Sequence, residues 1–303
     1  MRNLLYTVIN NFGYRIINKK NENTRLKLPL RKYQIKENFN ILFQSKYYIQ
    51  NLEDKFKNLT IVNHKEGFLV GFLDLNIYVE SEEEFHILNE IFVRNDYDFI
   101  TDSKSILIDI GANIGITSLF FSRLDFVDKI YAFEPVKDTF EQAQYNFRLN
   151  DKIQKITTIK NIGLGKNSRK ELFLFDKNCK GNTGLRGKSS PSYQNNISAK
   201  EREVQIESAT FEIGSIISEH SNRKVIVKMD CEGGEYEILE DLYQSGMINK
   251  IDVLLLEWHD KGSKIIEDML INSGFDYFSR HYDALTGMIY AFKNNKSENK
   301  NLS

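Results

Sequence analysis

The chain has little cysteine: two thiols in 303 residues, Cys179 and Cys231, neither in a C-x-x-C pair. That excludes a disulfide scaffold and gives no zinc-site spacing, and cytoplasmic location is the expectation. No charge predominates, since 41 Lys and Arg stand against 42 Asp and Glu for a net charge of −1. Without a general basic field, nucleic acid is not an expected partner. There is also no long uninterrupted apolar run. The first 17 residues mix apolar side chains with Asn10, Asn11 and Arg15, so they read as neither a signal peptide nor a membrane span. What remains is a chain with 41% hydrophobic residues, long enough for one large α/β domain with an extension.

The most informative stretch is ILIDIGANIGI at residues 106–116, a short apolar run that ends in Asp109 and breaks into Gly111 and Gly115. It reads as a buried strand feeding a tight turn and a helix, with the acid at the strand's carboxyl end, where open α/β sheets bind ligands. KIYAFE at 129–134 is a second such strand, ending in Glu134. Two acids at successive strand ends suggest a nucleoside. A dinucleotide fingerprint needs a glycine where Asn113 stands, so that a pyrophosphate can approach the backbone. A side chain there argues against NAD and for a ligand without phosphate. S-adenosylmethionine (SAM) fits: Gly111 admits the ligand, Glu134 can accept from both ribose hydroxyls, and Asp109 could meet the methionine ammonium directly or through water.

Two further blocks repeat the strand-end pattern. VIVKMDCEGGE at 225–235 carries Asp230, Glu232 and Glu235, and VLLLEWH at 253–259 carries Glu257 and His259. The ordered blocks DIGANIG, AFEP, KMDCEGGE and LLEWH resemble the FkbM family of SAM-dependent methyltransferases over about residues 70 to 292. The resemblance implies a class I, Rossmann-like sheet with helices on both faces and an antiparallel last strand, here with an N-terminal helical and β extension. It implies SAM as cofactor, held by Asp109, Gly111, Ala112, Asn113, Gly115, Glu134, Pro135, Asn161 and Asp230. Asn161 follows the third strand, where this fold usually contacts adenine; it could equally be a turn former. The family's T-L-D-D segment becomes TFEI at 210–213, which puts a role for Glu212 in doubt. The implied reaction is O-methylation, with a saccharide or glycan hydroxyl as the family-level acceptor.

An alcohol acceptor must lose a proton. The candidates to take it are Asp230, Glu232, Glu257 and His259, with His259 the most natural base because an ordinary imidazole titrates near neutrality. Plainer readings stand beside these: Asp230 as a helix cap or methionine-amine partner, Glu232 as a helix-start acid, Lys228 as their counter-charge, and His259 as a helix-entry residue. No dense ligand motif assigns a metal, although the four clustered groups could bind a divalent ion. The alternatives are an inactive SAM-fold binding module and, less well supported, an NAD-dependent oxidoreductase.

The expected organisation is a helical extension over residues 1–58, a β/helix element over 59–100, the methyltransferase domain over 101–293 and a polar tail over 294–303. An amphipathic helix over 4–17 could touch a membrane surface weakly, though Asn10 and Asn11 interrupt its apolar face. Residues 68–79 read as one or two strands around Gly71. Ser81 opens a helix to about Val93 through a capping box. A β pair at 172–175 and 204–206 brackets a polar loop, expected to close over the acceptor. Tyr193, Trp258 and Tyr282 are candidates to stack on sugar faces. Oligomeric state is not legible.

Overall fold

The computed structural model describes residues 27–190, 193 and 198–294. The expected helix at 4–17 and nearly all of the polar tail lie outside them. Short helices Phe39–Gln44 and Lys46–Lys55 lead into an antiparallel meander of β1 (Thr60–His64), β2 (Gly67–Phe72) and β3 (Leu75–Val79). The stretch expected as one or two strands around Gly71 is two, β2 and β3, and the turn between them is at Leu73 and Asp74, both at positive φ. Gly71 stays in strand, opposite Thr60. β1 was not legible because its exposed residues alternate with too few apolar ones. The helix Glu82–Leu88 begins as expected, with Ser81 Oγ accepting from Glu84 N at 3.3 Å, and continues as a wider π-helical stretch over Asn89–Arg94.

The central strands follow: β4 (Ser105–Ile110), β5 (Val127–Phe133) and β6 (Thr157–Lys160). A small sheet of β7 (Gly163–Gly165), β8 (Arg169–Phe175) and β9 (Lys200–Ser208) interrupts them. The chain then returns through β10 (Lys224–Met229), β11 (Val253–His259), β12 (Phe275–His281) and β13 (Thr286–Lys293). The seven-stranded order is β12-β13-β11-β10-β4-β5-β6, parallel from β6 to β11, with β13 antiparallel to both neighbours. This is the Rossmann-like class I arrangement. β4 and β10 are neighbours whose chains leave in opposite directions across the sheet. Their carboxyl ends form the crevice where such sheets bind ligands.

Every residue of β4 is buried, as befits a central parallel strand covered on both faces. Leu107, Ile130, Ile226 and Leu255 face one core with Leu119 and Phe147; Ile106, Ile108, Val227 and Leu256 face the other with Ile213, Leu239 and Leu270. Each such side chain contributes roughly 1.5–3 kcal/mol by burial. The meander shares the first core: Phe68, Phe85, Leu88 and Phe92 belong to the same cluster as Leu119 and Phe120. The element before the central sheet is therefore welded to one face of it, and its far end reaches the crevice. No helix among the described residues is long and apolar enough to cross a membrane.

Candidate active site

A cavity of about 240 Å³ opens above the carboxyl ends of β4, β5, β10 and β11. One side, the one expected to hold the cofactor, is built by the turns after β4 and β5. Gly111 has φ +76°, and a Cβ there would lie 1.8 Å from the Asp230 carbonyl oxygen, so the β4 and β10 loops touch through a position only glycine can fill. Asn113 is also left-handed, at φ 50°, a conformation Asn tolerates, and its Oδ1 accepts from Ile114 N at 2.7 Å. Its backbone N–H donates to Glu134 Oε2 at 2.9 Å, while Val136 N donates to Glu134 Oε1 at 2.9 Å. Each carboxylate oxygen keeps a lone pair for a ribose hydroxyl. Burial, outweighing those two N–H donors, pushes Glu134 up to about 7. Gly111, Ala112, Asn113, Glu134 and Pro135 all line the cavity, joined by Gly163 and Leu164.

Three expected cofactor residues do not line it. Asp109 is fully buried beneath the turn, accepting from Ser118 Oγ at 2.6 Å and paired with Lys228 Nζ at 3.3 Å. It therefore does not contact a methionine ammonium directly. Its work passes through Lys228, which lines the cavity and donates to the Gly111 carbonyl at 2.8 Å. Gly115 packs on the Phe147 ring at the start of the helix Ile116–Phe121. Asn161 donates to the carbonyls of Glu134 and Pro135, both at 2.9 Å, and so braces the turn after β5 from behind.

The opposite wall gathers the acids. Asp230, Glu232 and Glu257 line the cavity; Asp230 forms no side-chain hydrogen bond or ion pair among the described residues. His259 lies one layer deeper, 3% exposed, with Nδ1 2.9 Å from Glu235 Oε1 and Nε2 3.5 Å from Glu232 Oε1. Burial would lower it, but the Glu235 hydrogen bond and the charges of Glu235, Glu232 and Asp230 prevail and raise it to about 10. Both ring nitrogens face carboxylates and the ring does not line the cavity, so His259 stands behind the wall and not in reach of an acceptor, unlike the expectation that it is the natural base. Burial and the nearby Asp230 charge hold Glu257 well above the ordinary carboxyl range. Asp230, Glu232 and His259 place potential ligand atoms within 4.8 Å of one another, a grouping for which no motif spacing made a case. Backbone strain is stored here too: Glu232 and Asp260 both have positive φ.

Residues that sequence reading missed complete the enclosure. The loop after β8 crosses the cavity as a strap. Buried Lys180 donates to Glu80 and Glu84 at 2.9 Å each and also to Gln142, while Gly181 N and Asn182 Nδ2 reach the Glu83 carboxylate. Arg186 pairs with Glu232 at 3.0 Å and bidentately with Asp260. Gly184 lies so close that a Cβ would come 2.5 Å from Glu232 Cβ. From the element before the sheet come Glu83, Glu90 and Tyr97. The acids at 82–84 were legible only as a helix cap, because their partner Lys180 is far away in sequence. Among the proposed stacking aromatics, Tyr282 lines the cavity. Trp258 is 1% exposed and belongs to the core, and the Tyr193 hydroxyl braces the strap through Thr183 and the Cys179 carbonyl. Glu212 pairs with Lys160 and does not line the cavity.

Residues 109–285 match the Methyltransferase FkbM domain. Methyltransferase sdnD of Sordaria araneosa is 25% identical over 224 residues, 67% of this chain and 86% of that one. Methyltransferase 1 of Beauveria bassiana is 26% identical over 183 residues, 56% and 72% of the two chains. The crystal structure of methyltransferase FkbM from Methylobacillus flagellatus aligns with 89% of this chain at 14% identity and a TM-score of 0.43, and this chain spans 59% of that one. With the family match covering more than half of its length and the acid-and-glycine turns in place, the chain belongs to the FkbM family and is a SAM-dependent methyltransferase.

Proposed function

We propose that the enzyme O-methylates a hydroxyl of a polyhydroxylated acceptor, a saccharide or glycan precursor, with Glu257 taking the proton. The observation that carries this is the wall opposite Glu134: Asp230 and Glu257 at adjacent strand ends, beside Tyr97 and Tyr282. Carboxylates accept from hydroxyls, and aromatic faces suit the apolar faces of sugar rings. SAM, when bound, supplies the electrophilic methyl. The chain holds the acceptor in line behind that carbon, within about 3–3.5 Å. With SAM bound, Glu257 in its ionised form would accept the proton that the acceptor hydroxyl loses as it takes the methyl, and the thioether would be the leaving group. The strap and the meander exclude water from the step. Two free thiols suit a reducing compartment, and the proposal extends to the cytoplasm.

The test is methyl transfer from SAM to a panel of glycosides, read by mass spectrometry, for wild type and Glu257→Gln. Methylation at a hydroxyl, slowed roughly 10²–10⁴-fold in the variant with cofactor affinity preserved, is the expected result. Methylation confined to nitrogen or carbon acceptors, or an equally fast variant, would overturn the proposal.

A further inference from the structure

We propose that Asp230, Glu232 and His259 form a divalent-cation site on the acceptor side of the cavity. Asp230 and Glu232 follow β10, His259 ends the neighbouring β11, and their ligand atoms lie within 4.8 Å of one another. Two of the three are pinned at one atom and present the other to a common centre. Arg186 Nη1 grips Glu232 Oε2 at 3.0 Å, leaving Oε1 toward His259 Nε2, 3.5 Å away. Glu235 Oε1 meets His259 Nδ1 at 2.9 Å, the outer carboxylate contact that orients a ligating imidazole. The Asp230 carboxylate makes no side-chain hydrogen bond or ion pair among the described residues; Lys228 and His259 act on it only through space.

A separate observation points to a polar ligand at the same wall. Tyr97, 5% exposed and lining the cavity, makes no hydrogen bond through its hydroxyl among the described residues. Charge agrees. Asp230, Glu232, Glu235, Glu257 and Asp260 outnumber the cations beside them, Arg186, His259 and a Lys228 already paired with Asp109, and enclosed carboxylates short of counter-charge are costly. One imidazole with two carboxylates suits Mn2+ and related divalent ions, with further positions open to the cavity. A hydroxyl bound to the ion would ionise more readily and pass its proton to Glu257; that role rests on the proposed hydroxyl acceptor, whereas the binding does not.

The experiment titrates Mn2+ into the chelator-treated full chain and follows the free-ion signal by electron paramagnetic resonance, with circular dichroism to show that each variant is folded. One Mn2+ per chain is expected, bound at least tenfold more weakly by Asp230→Asn and His259→Gln, about 10–100-fold more weakly by Glu235→Gln, and unchanged in Glu212→Gln. A folded wild type that leaves the free-ion signal intact, or variants that bind as well as wild type, would overturn the site. Because the readout needs no turnover, failure of the glycoside assay and failure of this titration are separate results.

Discussion

Lys228 and Asp109 sit side by side in register on β10 and β4, with Nζ 3.3 Å from Oδ1 and both side chains buried. The acid that opens the glycine turn is thus a strut: it holds the lysine that holds the Gly111 carbonyl. Removing the lysine strands a buried carboxylate. Lys228→Met is expected to lose about 3–5 kcal/mol in urea unfolding, and the double variant with Asp109→Asn to lose clearly less than the sum of the single changes. Additive losses would show that the two groups do not form a pair.

The turn geometry predicts a second loss. Gly111→Ala adds a methyl 1.8 Å from the Asp230 carbonyl and forces a side chain into positive φ. The β4 and β10 loops must separate, so SAH affinity is expected to fall at least tenfold by calorimetry. Unchanged affinity would mean that the cofactor does not use this turn.

Much of this was legible because each chemical block is local: an apolar strand, an acid at its end and a glycine turn lie in one continuous stretch. Glu134, Asn113, Asp230 and Glu257 were found that way, and the strands carrying them lie where the runs placed them. Residues brought in by packing were not legible. Tyr97 reaches the cavity because the meander shares the sheet's core, and Lys180 because it is drawn to Glu80 and Glu84 across 100 and 96 positions of sequence. The place of His259 is not legible either, because Glu235, the carboxylate that holds its ring behind the wall, comes from the helix Glu235–Gln244 and not from its own strand. The helix Ala209–Glu219 was missed because its capping Ser208 ends a strand, so no loop announces it.

The cavity acids predict a pH dependence. Burial pushes Glu83, Glu90 and Glu134 each up to about 7 from an ordinary 4.5. Across that window the folded chain holds more protons than the unfolded one, so these groups favour folding below about pH 4.5 and lose that contribution as pH rises through about 7. Thermal melts of the cofactor-free protein should therefore fall from about pH 5.5 to 7.5 on account of these groups. Cofactor binding runs the other way: ribose hydroxyls donate to the ionised Glu134, so SAH affinity should rise through about pH 7. Parallel trends in the two measurements would contradict the assignment of Glu134 to the ribose.

The strap makes a structural prediction. Lys180→Met leaves Glu84, fully buried, without its ammonium, and the loop loses its anchor to the helix Glu82–Leu88. Amide exchange at residues 178–187 should accelerate at least tenfold while β4 and β10 keep their protection. Equal exchange in both proteins would show that the strap is held by other contacts.

The measurement that tests the central claim most directly is calorimetric titration of SAM and SAH into wild type and Glu134→Ala at about pH 8, where Glu134 is ionised. Tight one-to-one binding by wild type, weakened roughly 10–100-fold by loss of the charged acceptor, is the expected result. A folded wild type that binds neither, or a variant that binds as well, would contradict the placement of the cofactor between Gly111 and Glu134.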